Sequence, residues 1–185
     1  RDFERLRIDG LLGLAFDFAG ASPINRALKA VRGNDSTLGD SVLRNIFESD
    51  LSRRAFFALD LDRTSDFENT AGGSFHIGEY APQWQRVADT PQIPQYPRGA
   101  RRWTVLLDGI TVGGENITLT SVIPGVPQGS LVALLDTGDP TALFSTKVQR
   151  AIYEKIPGAV SYVRGNERVW LVPCNTTTIV EFTFG

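Results

Sequence analysis

Three side chains in this sequence stand out as candidates for hydrolytic chemistry, and the pattern around each decides what it can do. In "ALLDTGDPTALFST", Ala133 to Thr146, an unbroken apolar run from Leu131 to Leu135 ends in a carboxylate, Asp136. Thr137, Gly138, Asp139 and Pro140 follow. Asp and Gly are common turn residues, and a strand that simply ends in a turn accounts for the tripeptide. The alternative is a carboxylate held on a rigid strand end, where a general acid or base can be aimed. His76 is the sole histidine; it stands between glycines with no partner set, which reads as a structural histidine. Cys174 is the sole cysteine and follows Pro173. It is either a reactive thiol or a half-cystine whose partner lies outside this sequence. These counts exclude a Cys/His zinc cluster, and any His-dependent triad would have to use His76 as its base.

Composition narrows the class. The 185 residues are 42% hydrophobic and 22% charged, with 19 Lys and Arg against 21 Asp and Glu, a net charge of −2. These are ordinary globular values without the basic excess that polyanion binding needs, so nucleic acid is not an expected partner. No apolar stretch has the length of a membrane span. The first residues, "RDFERLRIDG", contain no signal peptide, and the sequence has no Met. Three asparagines stand in Asn-x-Ser/Thr sites: Asn34 in "NDS", Asn116 in "NIT" and Asn175 in "NTT". Together they make candidate N-glycosylation sites and tilt the reading toward a secretory protein, where a half-cystine suits Cys174 better than a free thiol.

The elements that must position these groups are short. "ASPINRALKAVRG" reads as a helix capped by Ser22, opened by Pro23 and stopped by Gly33, with Ile24, Ala27, Leu28 and Val31 as its inward face. "DSVLRNIFESDL" reads as a second helix with Val42, Leu43, Ile46 and Phe47 inward. In "RAFFALDLDR" the period changes to two, with Phe57, Leu59 and Leu61 sharing a face. "GGSFHIGEY" is a Gly-flanked strand, and "QIPQYPRGARR" is a Pro-rich basic connection. "WTVLLDGITVGGENITL" reads as a hairpin turning at Asp108-Gly109, with Gly113-Gly114 at its end. "STKVQRAIYEKIPG" gives a third helix capped by Ser145, with Val148, Ile152 and Ile156 inward. "RVWLVPC" and "TIVEFTFG" are strands. The class is mainly β with short helices.

In their order these pieces resemble a pepsin-like aspartic peptidase of the fungal secreted kind, and the resemblance covers nearly the whole chain. "IDGLLGLAF" is similar to the psi-loop segment that follows the flap in the amino-terminal lobe, through Leu11, Leu12 and Gly13. "NIFESDLSRRAFFALDLDR" and "GGSFHIGEY" resemble the approach to the interlobe sheet. "RRWTVLLDGITVGG" resembles the opening of the carboxy-terminal lobe, "ALLDTG" the second catalytic Asp-Thr-Gly, and "RVWLVPC" a strand with a lobe-two half-cystine.

The resemblance implies a bilobal double-psi β-barrel, incomplete here at both ends. Residues 1–95 would close the amino-terminal lobe and enter the interlobe sheet, and 96–185 would form a truncated carboxy-terminal lobe. It implies an aspartic endopeptidase acting on peptide or protein substrates without metal or cofactor, extracellular or in the secretory or vacuolar system, the complete parent monomeric. Asp136 would be catalytic, supported by Thr137, Gly138 and Asp139, with Leu134 pointing toward a substrate subsite; Trp103, like Trp84 and Trp170, reads as a packing residue, with a subsite border as its alternative role. One position departs from the pattern: Asp139 stands where the family usually has a Thr or Ser that donates to the catalytic carboxylate. An ionised Asp139 cannot donate. A catalytically inactive pepsin-like binding protein is therefore the rival reading, and a one-aspartate chain that dimerises, as in retroviral peptidases, is a third. The sequence holds one Asp-Thr-Gly and no Asp-Ser-Gly, so this segment alone is expected to lack activity.

Overall fold

The computed structural model describes residues 9, 12–16, 22–61, 72–139 and 141–185. The chain divides into two compact units, Arg1–Gln92 and Ile93–Gly185. Among the described residues, strands in small separate sheets predominate over short helices.

Among the described residues, the first helix of the first unit is α1, Pro23–Arg32. Ser22 takes extended backbone angles and its hydroxyl accepts from the Asn25 N–H, Pro23 sits in the first turn, and Gly33 ends the helix. This is the expected capping logic, because each orphaned N–H or C=O at a helix end needs a partner. The expected face differs. Ile24 and Val31 are exposed, and the buried position is Asn25, whose Nδ2 donates to Asp40 Oδ1 at 2.8 Å. A polar tie therefore fixes this helix in place of an apolar stripe. Helix α2, Val42–Ser49, is capped by Ser41 and buries Leu43, with Val42 exposed. Strands β1, Phe57–Asp60, and β2, Ser74–Ile77, pair antiparallel, Phe57 opposite Ile77. A 3-10 helix, Pro82–Asp89, follows, kinked at Trp84. His76 lies within β2.

The second unit holds the main core. Strand β3, Thr104–Leu107, pairs with β6, Leu131–Leu134, in one sheet; β4, Gly109–Val112, lies between β5, Glu115–Asn116, and β9, Val180–Thr183, in another. The expected hairpin at Asp108-Gly109 is thus a crossing from one sheet into the next. The hairpin turn falls at Gly113-Gly114, whose φ of 59° and 81° match a two-residue turn of the twist that antiparallel strands prefer. Asp108 holds the crossing: Oδ1 accepts from Ser130 Oγ at 2.9 Å and Oδ2 from the Gly185 N–H at 3.0 Å. Helix α3, Thr146–Tyr153, capped by Ser145, turns Val148 and Ile152 into a cluster with Leu107, Ile110, Val112, Ile117 and Leu119. Strands β7, Val160–Arg164, and β8, Glu167–Leu171, form a separate hairpin.

One ion pair reports on acid stability. Lys155 Nζ donates to Glu115 Oε2 across the second unit. That hydrogen bond, then the Lys155 charge, holds the Glu115 carboxyl below its ordinary value of 4.5. The folded value lies under the unfolded one, so the stabilisation is complete above the ordinary value and disappears as pH falls through the folded value. Glu115→Gln is expected to remove this segment of the pH–stability curve, read by urea titrations from pH 6 to pH 3. A variant whose curve parallels the parent's over that range would show that the pair contributes nothing.

Candidate functional site

The route to Asp136 begins with β6. Leu131 and Ala133 pack against the core cluster and Val132 is half-buried, while Leu134 at the strand's end and Leu135 just beyond it are exposed. The run is therefore not a buried strand, as its unbroken apolarity suggested. Among the described residues it pairs with β3 alone, extended by the Leu135 N–H donating to Trp103 O at 2.8 Å. A strand in a two-stranded sheet covers one face and leaves the other to solvent. The strand does run directly into the carboxylate, with one residue between Leu134 and Asp136.

Asp136 is exposed, and its Oδ1 accepts the Gly138 N–H at 2.9 Å. This closes a side-chain turn of the Asx kind and sets the carboxylate's orientation. Gly138 suits the place, since a Cβ there would lie 3.1 Å from Asp136 Oδ1, tighter than ordinary contact. Among the described residues, nothing donates to Oδ2. Thr137 is exposed in the same turn. Asp139 makes a turn of its own: Oδ1 accepts from Thr141 N–H and Thr141 Oγ1, both at 3.0 Å. Its carboxylate is engaged forward along the chain. Chemically, the turn presents an aligned acceptor to solvent at the end of a strand anchored in the core.

The other sequence-derived residues lie apart from this turn along the chain. Leu11 is outside the described residues. Leu12 and Gly13 are exposed, and among the described residues nothing lies within 4 Å of where a Gly13 Cβ would stand. Cys174 is a free, exposed thiol in the turn after β8. Asn34 and Asn175 are exposed in turns, and Asn116 is exposed on β5. Among the described residues, no three His, Cys, Asp or Glu side chains could hold a metal ion, and no helix is long and apolar enough to cross a membrane. Sequence reading missed Asp108 as a sheet-to-sheet tie. The signal was there: Asp108 separates two apolar runs of opposite parity, Leu107 and then Ile110 with Val112.

The chain belongs to the eukaryotic aspartyl protease family, which it matches over residues 1–185. It is similar to the aspartic-type endopeptidase ctsD of Aspergillus fumigatus, with 22% identity over 183 residues, covering 99% of this chain and 32% of that protein. The chain thus spans about a third of that relative's length. No solved structure matches it.

Proposed function

We propose that this chain is the central part of an aspartic endopeptidase, with Asp136 one of the two carboxylates of the catalytic pair. The observation that carries this reading is the family match over the whole chain, with Asp136-Thr137-Gly138 turned by the Gly138 N–H at the end of β6. The second aspartate would come from an amino-terminal lobe that residues 1–95 complete. Residues 96–185 would belong to the other lobe of a bilobal double-psi β-barrel, with Leu11, Leu12 and Gly13 threading the psi loop under the first aspartate. Two carboxylates that close cannot both ionise readily, so they share a proton and titrate as a unit. One activates a water as general base while the pair protonates the departing amine. Thr137 would lock the two catalytic loops together.

Asp139 tests this reading most directly. With Oδ1 on Thr141, it leaves the outer oxygen of Asp136 without the hydroxyl donor that the family pattern supplies, which is what supports the rival of a catalytically inactive binding protein. A secretory or vacuolar location, with Asn34, Asn116 and Asn175 glycosylated and Cys174 bridged to a cysteine outside this sequence, is the setting we assign. The partners are peptides or proteins and the complete protein is monomeric.

The experiment is cleavage of an unfolded protein at acid pH. The 185-residue segment is expected to be inactive, and the longer protein carrying both aspartates to cleave and to be stopped by a transition-state peptide inhibitor. Inhibitor-sensitive cleavage by the segment alone overturns the shared-site arrangement. Absence of cleavage by the longer protein, with retained peptide binding, favours the binding-protein reading.

A further inference from the structure

The first unit carries a cavity of about 420 Å³ between the β1–β2 hairpin and the 3-10 helix. Its size is that of a small-molecule site. Among the described residues its wall is aromatic and aliphatic, with Phe57, Tyr80, Trp84 and Val87, and one carboxylate, Asp60. Asp60 is half-buried, and its Oδ2 accepts two hydrogen bonds, from Trp84 Nε1 at 2.7 Å and Gln83 Nε2 at 2.9 Å. Both donors come from the 3-10 helix, so the carboxylate is fixed from one side. Among the described residues, nothing donates to its Oδ1.

The same bond pins the Trp84 indole, whose side chain is 52% exposed. An oriented indole beside a carboxylate with one acceptor in reserve is what an ammonium group on an apolar body recognises. The charge pairs with the carboxylate and the body lies along the ring. A cation already lies over one of these rings: Arg54 stands 5.9 Å from the Tyr80 centroid, and 4.9 Å from that of Phe56 beside it. His76, also on the wall, is occupied elsewhere: Nε2 lies 3.0 Å from Ser74 Oγ and Nδ1 3.8 Å from Glu79.

We propose that this cavity binds an alkylammonium group carried on an apolar or aromatic body, with Asp60 as counter-ion and Trp84 as the ring beneath it. The ammonium comes either from a free arylalkylamine or from a lysine side chain of a peptide.

The test is titration of the protein at pH 8 with phenethylamine, with Nα-acetyl-lysine methylamide, and with 2-phenylethanol, which keeps the ring and loses the charge. Tryptophan fluorescence and ligand-observed NMR read the binding. At least one amine is expected to bind saturably and about tenfold or more tighter than the alcohol. The tighter amine identifies the source. Asp60→Asn keeps an acceptor for the Trp84 and Gln83 donors and is expected to abolish the preference for charge. Val87→Phe, at an exposed position on the wall, is expected to fill the cavity and block the binding amine, with the far-ultraviolet dichroism of the parent. If no amine binds, or if amine and alcohol bind alike and Asp60→Asn changes neither, the proposal is overturned.

Discussion

Asp136→Asn is expected to abolish turnover in the protein that carries both lobes, by roughly four powers of ten or more, the scale seen when an essential member of a catalytic unit is lost. The substitution keeps the side chain's size and an oxygen for the Gly138 N–H, so the turn that ends β6 should survive and the protein should fold. What goes is the ionisable group: on the proposed reading the shared proton would have no second carboxylate and the water no base. Peptide binding should weaken far less, because contacts away from the reacting bond are made alike in ground and transition states. A kcat collapse with little change in the dissociation constant for a substrate-like inhibitor is the expected pair of readings. Asp108→Asn is the contrast. It touches Ser130 and Gly185, so it should cost about 1 kcal/mol of stability, the scale of one hydrogen bond, and leave turnover of the folded protein near the parent's. An Asp136→Asn protein that folds and cleaves at the parent's rate would reduce Asp136 to a turn residue.

The parts legible in the sequence are those set by local chemistry. Ser22, Ser41 and Ser145 cap helices because a side-chain oxygen next to an orphaned N–H is a local contact, and their hydroxyls accept from Asn25, Arg44 and Val148. Val148 and Ile152 were readable because helix spacing and burial agree there. Ile24 and Val31 have the same spacing and are exposed, since a period shows only that a face exists and not that anything covers it. Asn25 could not be found this way, because its burial depends on Asp40, fifteen positions along. Likewise Leu131–Leu135 looked like a strand buried on both faces. Which strands flank it is a long-range fact, and among the described residues only β3 does. At the site, the Asp136–Gly138 turn was legible as chemistry within three residues. The engagement of Asp139 was not, since whether its carboxylate turns back toward Asp136 or forward to Thr141 is a rotamer choice.

Ile110→Ala is the stability test of the scaffold behind that turn. Ile110 is 1% exposed, in the middle of β4, with Phe182 as its partner on β9. It belongs to one cluster with Leu107 at the end of β3 and with Val148 and Ile152 on α3, and Leu131 and Ala133 of β6 pack against that cluster. Removing its outer carbons loses their transfer energy and leaves a cavity that two sheets and a helix must close at once. The expected cost is about 3 kcal/mol, within the range for buried Ile to Ala. That is a large part of the roughly 5–15 kcal/mol that holds a domain folded. Val31→Ala, at an 80% exposed position of α1, should stay within about 0.5 kcal/mol. Urea unfolding of both variants, followed by tryptophan fluorescence, decides between them. Because β6 leans on the same cluster, Ile110→Ala should also loosen the strand that presents Asp136, and amide exchange in Leu131–Leu134 should rise with it. Equal, small losses for the two variants would mean that the cluster does not hold this unit together, and that β6 and the carboxylate at its end are positioned by something else.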